Sequence, residues 1–349
     1  MMKYVAKEKL NDFFAAADRY LHLYIPTDDG NGKAKYTRFT EGAVLTKALH
    51  TTRSAKDFFF PQTENLVEFR MSGKNIEIID PRREHEDFAI FGVRACDVKS
   101  FAILDSVYLS EPVDTYYKNR RDHGLVISMA CTRPEETCFC GTFGIDATAP
   151  EGDVVCYPTE SGYFFEAKTE KGSAFLGKIA DVFEDRAEDE AAAQKEATKK
   201  ILDKLPLRDL TAEGFGASEE GENKVLKFFN SPKWSELSEA CIACGTCTFV
   251  CPTCQCYDIK DYDTGSGVKR FRCWDSCMYS DFTKMAHGNP RLTQTERFRQ
   301  RFMHKLVYYP ENNNGVMGCV GCGRCLASCP ISMNIVKVMK ALDEKEGNR

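Results

Sequence analysis

The pattern of apolar and polar positions predicts alternating helices and strands in the first half of the chain. Apolar residues recur at helical intervals over 7–23 and the run ends near Pro26, which predicts an opening helix. Short runs over 66–71 and 76–79 have strand character. Residues 88–94 form an apolar run leading into Ala95-Cys96-Asp97, where Asp97 is placed to N-cap a helix over 98–104. A second apolar run, 124–130, ends at Cys131. Strand, helix, strand in that order predicts a parallel βαβ unit with its loops at the carboxyl ends of the strands, so that Cys96 and Cys131 share one sheet edge. Segments 154–157 and 163–167, joined through Pro158 to Gly162, read as a hairpin.

Beyond this the pattern changes. Residues 181–205 are charged and alanine-rich, predicting an exposed helix, and 211–223 is a Gly/Glu-rich loop. Asn230-Ser231-Pro232 starts a short helix, with Ser231 as cap and Pro232 in the first turn, that delivers the chain to Cys241. The expected fold is α+β: an N-terminal α/β domain over 1–180, a charged helical linker over 181–230, and an expanded bacterial-type two-[4Fe–4S] ferredoxin domain over 231–349 with an insertion at 252–318.

Composition sharpens the picture at one point. Seventeen cysteines accompany a first ten residues that are charged and lack the apolar region of a secretory signal, and no run approaches the length of a membrane span. A cytoplasmic location is expected, where thiols stay reduced, so metal binding explains the cysteines better than disulfides do. The net charge of −5 hides an asymmetry, with 15 Lys and Arg against 10 Asp and Glu from Cys241 onward. Basic residues there can offset negatively charged clusters or simply form a solvated face.

Two runs share C-x₂-C-x₂-C-x₃-C-P spacing: Cys241-Ile-Ala-Cys244-Gly-Thr-Cys247-Thr-Phe-Val-Cys251-Pro252 and Cys319-Val-Gly-Cys322-Gly-Arg-Cys325-Leu-Ala-Ser-Cys329-Pro330. In this bacterial-ferredoxin pattern the fourth cysteine of each run reaches the other cluster. One [4Fe–4S] cluster is therefore expected on Cys241, Cys244, Cys247 and Cys329, and a second on Cys319, Cys322, Cys325 and Cys251. Zinc is the competing occupant of such spacing.

Between the runs lie Cys254-Gln-Cys256-Tyr257, Cys273-Trp-Asp-Ser-Cys277 and an Arg-rich helix over 293–306, whose Arg297, Phe298, Arg299, Arg301 and Phe302 either brace the clusters or face a partner. Cys254, Cys256 and Cys277 are weak candidates for a further ligand set, against a reading as small packed residues. Cys96, Cys131, Cys138 and Cys140 offer four thiols to a third [4Fe–4S] cluster or to zinc, with buried non-ligating cysteines as the alternative. Cys156 reads as core. No G-x-G-x-x-G follows a strand and no P-loop is present.

The chain also resembles a known family, the beta subunits of cytoplasmic sulfhydrogenases and the related A subunit of anaerobic sulfite reductase. The residues that carry the resemblance are Phe58-Phe-Phe-Pro61, Phe91-Gly-Val-Arg-Ala-Cys96-Asp97, Ile103-Leu-Asp-Ser-Val-Tyr-Leu109, Tyr116-Tyr117 with Arg120-Arg121, Cys138-Phe-Cys140, Cys251-Pro-Thr-Cys254-Gln-Cys256-Tyr257, Trp274-Asp-Ser-Cys277 and the run from Cys319 to Pro330. The resemblance implies an iron–sulfur subunit between a flavin- and NAD(P)-binding partner with a [2Fe–2S] centre and a terminal unit. That unit would be a hydrogenase, a sulfite reductase or a heterodisulfide-reductase-like protein. The missing dinucleotide motif fits, since the nicotinamide would bind the partner. The function expected is electron relay with no catalytic residues of its own. The alternative is a stand-alone oxidoreductase binding flavin or substrate near Cys96 and Cys138. Neither a nucleic-acid partner nor a membrane span is expected.

Overall fold

The computed structural model describes residues 2–83 and 85–343. Its strands, in chain order, are β1 (Lys3–Ala6), β2 (His22–Asp28), β3 (Ala34–Arg38), β4 (Thr63–Ser72), β5 (Asn75–Ile79), β6 (Phe88–Val93), β7 (Gly124–Met129), β8 (Val154–Pro158), β9 (Gly162–Ala167), β10 (Tyr257–Asp263) and β11 (Gly267–Trp274). They form two sheets, one in each of two compact units. The first unit comprises 2–59, 85–209 and 320–322, and the second 60–83, 210–319 and 323–343.

The first unit is built on a seven-stranded sheet of order β1-β9-β8-β7-β6-β2-β3. Strands β2, β6, β7 and β8 run parallel at its centre, and antiparallel strands close both sides. Every residue of β7 is buried, as the near-continuous apolar run requires of a strand covered on both faces. The expected βαβ unit is present: β6, the helix Ala95–Tyr108, a second helix Thr115–His123, then β7 parallel to β6. The helix Leu10–Asp18 buries Phe13 and Phe14 over this sheet, Phe13 stacked on Phe165 at 4.4 Å and Phe14 edge-on to Phe91 at 4.9 Å. The hairpin β8–β9 also forms as read.

Several boundaries differ from the sequence pattern. The opening helix stops at Asp18, whose carboxylate accepts from the Leu23 N–H at 2.9 Å, and residues 22–28 become a strand paired to β6. Asp97 is no N-cap. The helix already begins at Ala95 after an extended Arg94, and Asp97 is buried in its first turn, its N–H bonded to Arg94 O. The helix Lys233–Glu239 takes Pro232 as its N-cap, and Ser231 Oγ only accepts from Lys233 N–H at 3.4 Å.

The units also follow other bounds than those expected at 180 and 230. Residues 189–202 form the predicted helix, and it belongs to the first unit, where Ala191 packs with Tyr4 and Phe164. Segment 60–83 belongs to the second. Its hairpin β4–β5 joins β10 and β11 in a four-stranded sheet of order β10-β11-β4-β5, so the insertion expected between the cysteine runs supplies half of a sheet. Sequence periodicity identified β4 and β5 but not β10 and β11, and it carries no signal for pairing across two hundred residues.

A buried ion pair fixes that long-range pairing. Arg272 on β11 donates to Glu64 on β4 at 2.7 Å, with both side chains under 5% exposed, and the guanidinium lies 5.2 Å from the Phe60 ring centroid. A buried charge that loses its partner retains its desolvation cost. Glu64→Ala should therefore destabilise the second unit by about 3–5 kcal/mol, and the Glu64→Ala/Arg272→Met pair should recover much of that loss. Denaturant unfolding of the three variants measures both effects.

Candidate iron–sulfur centre

The two cysteine runs fold alike. The third residue of each takes a left-handed conformation, Ala243 at φ 53° and Gly321 at φ 60°. The glycine after the second cysteine does so again, Gly245 at φ 73° and Gly323 at φ 78°, and each starts a four-residue helix, Thr246–Phe249 and Arg324–Ala327. Such φ values cost an alanine roughly 1–2 kcal/mol, so Ala243 is held there by its surroundings. At Gly245 a β-carbon would also lie 2.5 Å from the Tyr279 hydroxyl, which donates to Cys244 O at 3.2 Å and latches the loop.

This geometry collects the first expected ligand set. Cys241, Cys244, Cys247 and Cys329 line one small apolar cavity with Phe298, Phe302 and Pro330. Burial raises the Cys241 thiol, and the neighbouring thiols of Cys247, Cys244 and Cys329 raise it further. Cys244, the most exposed, is lowered by its contact with Thr246 Oγ1 at 3.4 Å.

Two buried cations stand beside these thiols. Arg301, 2% exposed, comes from the helix Gln294–Met303, and Lys305, 5% exposed, from the next turn. Burial opposes the charge on Arg301, but Cys247, Cys325, Cys254 and Cys251 outweigh it and keep the guanidinium protonated. For Lys305, burial is likewise outweighed, by Cys251, Cys254 and Cys319. Lys305 Nζ donates to Thr253 Oγ1 at 2.7 Å and to Gly318 O at 3.2 Å, and Thr253 Oγ1 lies 3.3 Å from Cys251 Sγ. Arg301 Nη2 donates to Cys247 O at 3.2 Å, while Nε and Nη1 are buried with no protein acceptor. Neutral thiols are weak acceptors and give such a cation little reason to be buried. Thiolates ligating a sulfide-containing cluster supply both the negative charge and the acceptors, so the residues fit that group.

The helix over 294–303 divides these side chains between its two faces. Thr293 and Glu296 form a capping box at its start, and Phe298, Arg301 and Phe302 face inward. Arg299 turns outward, 3.7 Å above the Phe229 ring. Lys305 was missed in the sequence, although its position four residues after Arg301 puts it on the same helix face.

In the first unit, Cys131, Cys138 and Cys140 come together and are buried. Burial, then the neighbouring thiols, pushes Cys138 and Cys140 up to about 12. Cys322 adjoins Cys140 in this unit, where Gly321 O accepts from Phe139 N–H at 3.0 Å. Cys96 is buried in the first turn of the helix after β6. His50 Nε2 lies 3.9 Å from Cys138 Sγ, a neighbour with no motif to announce it.

The remaining cysteines of the second unit are Cys254, Cys256, Cys273 and Cys277, of which Cys273 lies within β11. Cys254 donates to Cys251, an arrangement that lowers Cys251 and raises Cys254, and Cys277 is raised first by its bond to Cys256 and then by burial. Cys156 is fully buried core, as read. Among the described residues no group of three or more His, Cys, Asp or Glu closes on a single metal ion. Among the described residues no helix is long and apolar enough to cross a membrane.

Comparison with known proteins agrees with this chemistry. Residues 240–333 match a family model described as a 4Fe-4S dicluster domain. The chain is 35% identical over 260 residues to the sulfhydrogenase 2 subunit beta of Pyrococcus furiosus, covering 74% of each chain. No solved structure matches. An iron–sulfur domain with this thiol geometry, in a chain related over most of its length to that subunit, identifies an electron-transfer protein that belongs to the family of sulfhydrogenase beta subunits.

Proposed function

We propose that the chain relays single electrons between a flavin- and NAD(P)-binding partner bearing a [2Fe–2S] centre and a terminal redox subunit, through two [4Fe–4S] clusters in its dicluster domain. One cluster is held by Cys241, Cys244, Cys247 and Cys329. The spacing of the runs gives the other to Cys319, Cys322, Cys325 and Cys251. Each cluster supplies a site that takes up and gives back one electron. The observation that carries the reading is the Arg301 guanidinium, buried among thiols with donors that no protein group accepts. Arg301 and Lys305 balance the cluster charge, Gly245 lets the first loop close, and Phe298 and Phe302 help keep water from the first set. Cys131, Cys138 and Cys140, with Cys96 as the fourth thiol, are proposed to hold a third cluster.

Iron and acid-labile sulfide in anaerobically purified protein test the count, since the ferredoxin-type pair needs about eight irons per chain and the N-terminal set about four more. Cys138→Ser should remove those four and leave the pair intact. An unchanged iron content overturns the N-terminal site alone, whereas an iron-free chain overturns the whole reading. The isolated chain should not oxidise NAD(P)H or retain flavin. If it does either, it is an oxidoreductase in its own right rather than a relay.

Arg301→Met should lower the midpoint potential of an adjoining cluster by on the order of 100 mV, one charge a few ångströms away at an effective dielectric near 20. Iron content should be retained, and Arg301→Lys should restore part of the shift. A potential that does not move in redox-titrated EPR would exclude Arg301 as the counter-charge.

A further inference from the structure

The two cysteine runs repeat one loop, yet they differ at its third position. Ala243 and Gly321 both take the left-handed conformation there, at φ 53° and φ 60°. The loop therefore accommodates a side chain at this place, and its own backbone does not demand glycine. What differs is the neighbour. A β-carbon on Gly321 would lie 2.4 Å from Phe139 O and 2.6 Å from Cys140 N, closer than a side chain can approach a backbone. Phe139 N–H donates to Gly321 O at 3.0 Å, so two peptide backbones are in direct contact, and residues 320–322 are part of the first unit.

Thiols bracket both sides of the contact. Phe139 lies between Cys138 and Cys140, and Gly321 between Cys319 and Cys322. The N-terminal side is held firmly: Cys131 N–H donates to Ala147 O at 2.8 Å and closes the loop that carries all three thiols, and Cys138 N–H donates to Glu135 O at 2.9 Å. Phe139 itself is buried. The loop of the first run has the opposite surroundings. Ala243 lines an open cleft of about 670 Å³ with Tyr257, Met278 and Tyr279, Ile242 is 62% exposed, and Cys244 is exposed. Electron tunnelling weakens steeply with distance, so a redox site pressed backbone to backbone against one cluster loop exchanges electrons with that cluster first. The two ferredoxin-type clusters are neighbours in turn, because the fourth cysteine of each run ligates the other cluster.

We infer that the N-terminal thiol set adjoins the second ferredoxin-type cluster, that of Cys319, Cys322, Cys325 and Cys251, and that single electrons pass in the order N-terminal site, second cluster, first cluster. Phe139 and Gly321 form the junction. The N-terminal site and the first cluster, behind the exposed Cys244, are then the two ends of the wire. Each step oxidises one cluster by one electron and reduces its neighbour by one, and the order is the same for flow in either direction. The inference rests on the proposed N-terminal cluster and adds the cluster to which that site is wired.

EPR of the fully reduced full-length protein, purified without oxygen, tests the order, because neighbouring reduced clusters broaden and split each other's signals. Wild type should contain about twelve irons and show this interaction. Cys241→Ser/Cys244→Ser, which dismantles the first cluster, should leave the N-terminal site and the second cluster still interacting. Cys319→Ser/Cys322→Ser, which dismantles the second, should leave two isolated signals. Gly321→Ala places at this position the residue that the first run carries, and it should keep about twelve irons while weakening the interaction. Interaction that persists without the second cluster or disappears without the first overturns the inference. So does a Gly321→Ala protein with all its irons and an unchanged spectrum, and any one of these variants that folds decides the matter. A wild type with about eight irons fails at an earlier point, since it removes the N-terminal site and this order with it while leaving the ferredoxin-type pair.

Discussion

Burying a guanidinium and an ammonium one helical turn apart is tolerable only when negative charge surrounds them, and the second unit is organised around that requirement. The Coulomb energy between close unit charges rises steeply as the effective dielectric falls, but so does the cost of removing each charge from water. Arg301 and Lys305 resolve the conflict by facing thiols drawn from both cysteine runs and from the segment that follows the first. The helix that carries Arg301 is locked by a capping box at one end and by two buried phenylalanines along its length. Its position is thus set by packing, and the cations by the helix. Thiolates, the form that binds iron, would supply the negative charge that offsets the two buried cations.

The same electrostatic economy recurs in the small sheet. Arg272 and Glu64 are buried together with the Arg272 guanidinium near the faces of Phe60 and Tyr257, a pairing that contributes little net stability yet specifies one partner for β11. That specification matters because the sheet joins residues about two hundred positions apart and presents Cys256 and Cys277 at one end. Local propensity could have paired β10 and β11 into a hairpin, but only the long-range ladder anchors it.

The chemistry was more legible in the sequence than the architecture. The spacing of the runs points to two like loops, and the peptide repeats its geometry at the same offsets in both: two left-handed residues and a short helix. The parallel strands β6 and β7 were legible too, since a strand buried on both faces writes itself as a continuous apolar run. What periodicity could not reveal was membership. Residues 63–79 alternate like any strands, and nothing local says that their partner is β11. Asp97 looked like a cap because its residue type favours caps, but the helix starts two residues earlier, where Arg94 leaves β6 in an extended conformation. Lys305 was obscured for a related reason: an isolated basic residue in a helix is ordinarily solvated, and only the burial of its whole face makes it a counter-charge.

The first unit gathers three buried thiols whose acidity is set by their burial. Cys131, Cys138 and Cys140 lie near the carboxyl edge of a parallel sheet, where the loops after β6 and β7 emerge, and burial holds their protons firmly at neutral pH. A metal at the proposed third site would have to displace those protons, so its binding would be coupled to their release and would strengthen as pH rises. The exposed end of the first run behaves oppositely, with the Cys244 thiol lowered by its contact with Thr246.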